Sequence, residues 1–197
     1  MEMVCDQDGF SEIALDTGLV EIKGIAGARA RILSIDCIVG VTDFSNKGGS
    51  MGVAMAGAII TLMKHAQAEG LPLVLFCASG GVRVQEGTSG LFQMIRTVHA
   101  RNIMRNVPMI TVFTDPTMGG VTASFAGLAD VMIAEPGARI GFAGPRVISS
   151  IIGDDLPSDF QEASRLLEKG FLDAIVHRHN LKTTLAYICE WFNVPLR

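Results

Sequence analysis

The feature that most constrains this chain is a strand–glycine–helix pattern that occurs twice. The apolar run Leu73-Val74-Leu75-Phe76-Cys77-Ala78 ends in Ser79-Gly80-Gly81-Val82-Arg83 and leads into a helical pattern from Gly87 to Arg105. Further on, Pro108 to Thr114 is apolar again, ends in Asp115-Pro116-Thr117-Met118-Gly119-Gly120, and opens a helix of small residues predicted over 120–128. A continuous apolar run bounded by turn residues reads as a strand buried on both faces. Two such strands with helices between them predict a parallel α/β sheet with right-handed crossovers. Ligands in such sheets gather where strands end in glycine turns.

The rest of the pattern supports this frame. A hairpin is expected from Leu19–Lys23 and Ala28–Asp36, separated by Gly24–Gly27, with Ile38–Asp43 extending it. The glycine-rich stretch Gly48-Gly49-Ser50-Met51-Gly52 opens a helix from Met51 to Glu69, with Ser50 as its N-cap and Gly70 and Pro72 as its stop. In the helix over 87–105, Leu91, Met94, Ile95, Val98 and Ile103 fall on one side. Strands are expected over 130–134 and 137–142, then a turn at Ala143–Arg146. A helix over 158–169, a short strand over 173–177 and a helix over 181–192 complete the chain. Residues 1–17 lack periodicity and read as an arm, leaving 18–197 as one domain. A length of 197 residues with 49% apolar and 18% charged residues can bury one sizeable core.

Composition excludes several functions. The net charge of −4 with both signs scattered is unlike a nucleic-acid binder. No apolar run reaches the length of a membrane span. The four cysteines, Cys5, Cys37, Cys77 and Cys189, form no CxxC pair, so no zinc ribbon and no metal site is expected. Glu2, Asp6 and Asp8 are unlike the start of a signal peptide, and a cytoplasmic address is expected.

A strand that ends in Gly-Gly and opens a helix exposes backbone N–H groups, and glycine lets a ligand approach them. Two such turns on adjacent strands can hold one thioester oxygen between two donors as it becomes an enolate. Ordinary strand-to-helix turns are the alternative for either pair alone. Neither pair fits a nucleotide-phosphate motif. Other polar residues carry less. Ser79 has no His/Asp partner at a recognisable spacing, Asp115 before Pro116 reads as a turn former, and Glu86 reads as a structural carboxylate of a helix surface or first turn, with a base as the alternative. Arg83 faces either a ligand phosphate or Glu86 at i,i+3. His65 and His99 read as helix-surface residues, and His177 and His179 lack further metal ligands.

Long ordered stretches also resemble a known family. They are Ser79 to Glu86, Thr114 to Ala126, Ile133 to Pro136 and Ile140 to Ile148, with Gly48–Gly52 and Leu167–Asp173. Together they closely resemble the carboxyltransferase β subunit of bacterial multisubunit acetyl-CoA carboxylase. The resemblance implies the crotonase (ClpP-like) spiral of repeated ββα units. It implies transfer of a carboxyl group from carboxybiotin, carried on a partner protein, to acetyl-CoA, with no covalently bound cofactor. It also implies an α-type carboxyltransferase subunit, a biotin carrier protein and an oligomer. Carried over by position, Gly80, Gly81, Val82, Gly119 and Gly120 become the catalytic backbone, and Gly48, Gly49, Ser50, Met51, Arg83, Met118 and Arg146 the substrate-binding residues. Two features depart from the family: the N-terminal four-cysteine zinc ribbon is absent, and Val82 replaces the usual alanine. The stretch Gly80–Glu86 is also similar to the β subunit of malonate decarboxylase. A biotin-independent malonyl-thioester decarboxylase and a non-catalytic assembly subunit are therefore the alternatives. Hydratases of this fold place a glutamate after the second turn, where this chain has Val121-Thr122-Ala123-Ser124.

Overall fold

A computed structural model describes residues 11–12, 24–153 and 155–193. In chain order the strands and helices are β1 (Ser11–Glu12), β2 (Ile25–Ile32), β3 (Ile35–Thr42), α1 (Val53–Glu69), β4 (Leu73–Ser79), α2 (Gly87–Ile103), β5 (Met109–Met118), α3 (Gly119–Thr122), β6 (Val131–Ala134), β7 (Ile140–Gly141), α4 (Pro145–Ile152), α5 (Ala163–Glu168), β8 (Ala174–Ile175) and α6 (Arg178–Asn193). The strands form one sheet in the order β1-β2-β3-β4-β5-β6-β8, with β7 pairing β5. The β1, β2 and β3 strands are antiparallel, and β3 onward is parallel.

Alternation along the strands assigns the two faces of the sheet. Leu73, Leu75 and Cys77 of β4, with Met109 and Phe113 of β5, point into a core shared with α1 residues such as Ile59 and Leu62. Val74, Ile110 and Val112 point the other way, under Leu181, Leu185 and Cys189 of α6. Both faces are covered, which is why β4 and β5 read as unbroken apolar runs.

Several expectations change. The hairpin exists, but its turn is Leu33–Ser34, with φ of +47° and +69°, and Gly24–Gly27 leads into β2 instead. A two-residue turn with positive φ at both positions follows the twist of paired strands, and here neither residue is glycine. The 19–23 strand and most of the 1–17 arm lie outside the described residues, although Ser11–Glu12 adds a strand to the sheet edge. The helix over 120–128 is one α-turn followed by a 3-10 turn over Ala126–Leu128. The helix over 158–169 shrinks to α5, and the turn at Ala143–Arg146 starts a helix, α4, with Pro145 in its first turn.

The α2 helix has the predicted length but buries the opposite side. Gly90, Gln93, Thr97 and Ala100 face inward, whereas Leu91, Phe92, Ile95 and Ile103 are exposed by 55–64%. Gly90 shows why. A Cβ there would come within 2.6 Å of the Arg83 carbonyl, so small residues hold α2 close to the chain beneath it and its large apolar residues face out.

Candidate active site: two adjoining glycine turns

The alignment of the two turns is set by strand register. On β4 the pairing moves from Cys77 to Ser79 while on β5 it moves from Phe113 to Thr117. The extra β5 residues include the cis Asp115–Pro116 peptide. Ser79 and Thr117 therefore stand side by side, and the turns that follow them touch. A Cβ on Gly119 would lie 3.0 Å from the Gly81 Cα, and one on Gly81 would lie 3.5 Å from the Gly120 nitrogen. Gly81 and Gly119 also have φ of +117° and +63°. Close approach and positive φ together demand glycine at both positions. At Gly120 a Cβ would overlap Val82 Cγ2 and crowd Met94 Sδ, so Val82 fills the space that this glycine leaves.

The first turn is braced by the loop Gly48–Met51. Gly80 N–H donates to the Gly48 carbonyl (2.8 Å), Met51 N–H to the Gly81 carbonyl (2.8 Å) and Arg83 N–H to the Met51 carbonyl (2.9 Å). The fully buried Ser79 hydroxyl donates to the Gly49 carbonyl (2.6 Å) and accepts the Gly81 N–H (3.0 Å). Gly49 has φ of +57°, and a Cβ there would run into the Ala78 carbonyl. Arg83 holds Ser50 through its backbone carbonyl (3.1 Å) and hydroxyl (3.3 Å), and lies 3.4 Å from Glu86. Glu86 in turn accepts the Val53 N–H (2.7 Å) at the start of α1, where a carboxylate satisfies an open donor and the helix dipole. That carboxylate does the capping expected of Ser50, whose hydroxyl instead donates to the Lys47 carbonyl (2.8 Å). Gly52 is the backbone N-cap.

The second turn is braced from the other side. Gly119 N–H donates to the Phe142 carbonyl (3.0 Å) and Thr117 N–H to the Arg139 carbonyl (2.9 Å). The loop carrying Phe142 is tied by Gln161, whose side-chain N–H donates to the Ala143 carbonyl (2.8 Å) and whose own carbonyl accepts the Ile140 N–H (2.8 Å). Asp115, expected as a turn former, lies within the β5 extension and binds the Arg139 guanidinium at 3.0 and 3.1 Å, which holds its carboxyl below the usual aspartate range.

Three of the five glycine-turn N–H groups are thus committed: Gly80 to Gly48, Gly81 to Ser79 and Gly119 to Phe142. Among the described residues, the N–H groups of Val82 and Gly120 donate to no protein acceptor. The Val82 donor does not arise at a helix N-terminus, because α2 starts only at Gly87. It arises because a parallel bridge to Met51 engages the residues either side of Val82 and turns its own N–H away.

The predicted substrate-binding residues divide. Gly48, Gly49, Ser50 and Arg83 are parts of the brace, and Met51 is fully buried in the core. Met118 is half-buried beside the second turn, and Arg146 is exposed in the first turn of α4. Sequence reasoning missed Phe142, Thr117 and Gln161 as supports. Phe142 falls in the Ile140–Ile148 stretch and Thr117 in the Thr114–Ala126 stretch, but their supporting roles could not be read there, because the bonds they make join distant parts of the chain. Cys77, next to the turn on β4, has its thiol pushed up to about 12 by complete burial and is no nucleophile. Among the described residues no group of three or more His, Cys, Asp or Glu could hold a metal, and no helix is long and apolar enough to cross a membrane.

The mixed, mostly parallel sheet with glycine turns at adjoining strand ends is a crotonase-type α/β spiral. Within that class the chain belongs to the carboxyl transferase domain family, whose model matches residues 8–194. It is 51% identical over 164 residues to the acetyl-coenzyme A carboxylase carboxyl transferase subunit beta of Bartonella tribocorum, covering 82% of this chain and 54% of the relative. The chain thus spans about half the length of that curated relative. The fold is shared with transcarboxylase 12S solved with hydrolysed methylmalonyl-coenzyme A bound, at TM-score 0.84 and 24% identity, over 94% of this chain and 40% of that one. It is also shared with a Pseudomonas malonate decarboxylase hetero-dimer, at TM-score 0.79 and 21% identity, over 96% of this chain and 83% of that one.

Proposed function

We propose that this chain is the acyl-CoA half-site of an acetyl-CoA carboxyltransferase, with Val82 and Gly120 N–H as the two donors that hold the thioester oxygen while its enolate forms. The observation that carries this reading is the pair of uncommitted donors on two turns that touch. Backbone donors already aimed at a developing negative charge need no reorganisation during the reaction, and losing one costs about 2.7–4 kcal/mol in the transition state. Gly80, Gly81 and Gly119 set the direction of those two donors. Met118 and Arg146 border the second turn, where the CoA portion would enter.

These turns supply donors and no proton-transfer group. Glu86, the carboxylate of the first turn, is committed to Val53 and Arg83. The carboxyl group therefore comes from the second substrate, carboxybiotin on a carrier protein, and the proton that leaves the acetyl methyl group goes to a base outside these turns, either the biotin nitrogen that gives up its carboxyl group or a residue of an α-type partner. The apolar residues exposed beside the turns support such a partner: Val84 (78%) after the first, and Phe142 (64%) and Ile151 (79%) after the second. Exposed apolar residues grouped in this way mark protein contact surfaces. The reading includes a cytoplasmic address, consistent with unbridged thiols at Cys77 and Cys189.

The test is co-purification with an α-type subunit and a carboxylated biotin carrier, followed by malonyl-CoA formation from acetyl-CoA. Gly120→Val, which must displace Val82 or Met94 and close the donor pair, should lower kcat by roughly 10²–10³-fold while the protein stays folded. Wild-type activity in Gly120→Val, or CO2 release from a malonyl thioester without biotin, would sink the proposal.

A further inference from the structure

At the far end of α1 and α2 from the turns lies a groove of about 480 Å³, within the size range of small-molecule sites. Ile60, about 10 Å along α1 from Val53, marks its near end. Its floor is apolar, with Ile60 and Met63 of α1 facing Ile103 of α2. Its charged lining has one sign, Lys64 from α1 and Arg96 from α2, with the His99 imidazole beside them. Arg96 binds only the neutral Gln93 amide (2.7 Å), and among the described residues no carboxylate pairs with Lys64, Arg96 or His99. None of the side chains lining the groove is acidic. Elsewhere Arg101 pairs with Asp130, Arg139 with Asp115, Arg165 with Asp159 and Arg178 with Glu135, whereas Lys64 and Arg96 share one apolar groove that holds no carboxylate. An apolar trough edged by unmatched cations suits one kind of ligand, with an apolar tail along the floor and an anionic head at the rim.

We infer that the α1–α2 groove is a binding site for a single-chain amphiphile with an anionic head, for which a carboxylate serves as the probe, separate from the paired glycine turns. The volume and short span of the groove favour a small molecule over a peptide helix, which would need a longer trough. The inference does not depend on the carboxyltransferase reading, because binding is measured without turnover.

The experiment is isothermal titration of the full chain with dodecanoate below its micellar range. Acetate serves as the tail-less control and dodecyltrimethylammonium as the control with the opposite head. One saturable dodecanoate site is expected, with no detectable acetate binding and the cationic amphiphile weaker by roughly five- to tenfold. Lys64→Glu combined with Arg96→Glu should reverse the preference between the two amphiphiles. Ile103→Asp, at an exposed position, should remove both without unfolding the chain, as checked by circular dichroism. Equal affinity for the two head groups in wild type, or unchanged dodecanoate affinity in the double variant, would overturn the assignment. So would self-association that Ile103→Asp abolishes and dodecanoate does not compete, since a second copy would then occupy the groove.

Discussion

Ser79→Ala is the sharpest test of how the first turn is held. The side chain is fully buried, and its hydroxyl joins two backbone groups: it donates to the Gly49 carbonyl at 2.6 Å and accepts the Gly81 N–H at 3.0 Å. Gly49 and Gly81 are themselves buried, so water cannot replace the hydroxyl without opening the turn. Removing it loses two hydrogen bonds and orphans one donor and one acceptor. With each orphaned group costing about 1–3 kcal/mol, the total should be roughly 2–6 kcal/mol. Urea unfolding of the full chain reads this directly. For a slope of about 2 kcal/mol/M, the midpoint should fall by roughly 1–3 M with the slope unchanged. Ser79→Cys, with a weak donor and acceptor at the same place, should fall between alanine and wild type. The same bond fixes the Gly80–Gly81 peptide, next to the one that carries the Val82 N–H, so the proposed carboxyltransfer should weaken in the order of stability. A folded Ser79→Ala protein less than about 0.5 kcal/mol below wild type would refute the claim that this hydroxyl holds the turn.

Two further outcomes follow from the titrating groups. The Asp115 carboxyl is held below its ordinary value of 3.8, chiefly by the Arg139 side chain. Its contribution is therefore fully present above that value and lost as pH falls through the lower folded-state value; because both partners are about half exposed, it should amount to no more than about 1 kcal/mol. Comparing urea midpoints of wild type and Asp115→Asn should show a gap near pH 7 that closes below the carboxylate range, and a constant gap would contradict this. Burial pushes the Cys77 and Cys189 thiols up to about 12, so an alkylating reagent at pH 8 should label them only after denaturation, as mass spectrometry of digested peptides would show. Rapid labelling of either in the native chain would contradict their burial.

What the sequence made legible depended on the range of the interactions involved. The strands β4 and β5, the helix α1 and both glycine turns were readable because each is set by neighbours along the chain: unbroken apolar runs, small residues and stop signals. The resemblance then pointed to all five glycine-turn residues together. It could not say which N–H groups remain available, because that is decided by partners far away in sequence. Gly48 takes the Gly80 donor, Phe142 takes the Gly119 donor, and the bridge to Met51 turns the Val82 donor outward. The glycine-rich loop reads as a ligand cradle by composition, yet its polar groups are directed at the first turn, and Arg83 and Glu86 are spent on the same brace. The α2 helix failed for a related reason. Periodicity finds an apolar stripe, but not whether the same chain covers it. Here the inner side is chosen by what can approach α1 and the Arg83 carbonyl, and Gly90, Gln93, Thr97 and Ala100 satisfy that limit better than Leu91 or Ile95. The misread stripe is itself informative. A helix that keeps Leu91, Phe92 and Ile95 in the open next to the paired donors has a surface whose cover lies outside these described residues, where the proposed partner belongs.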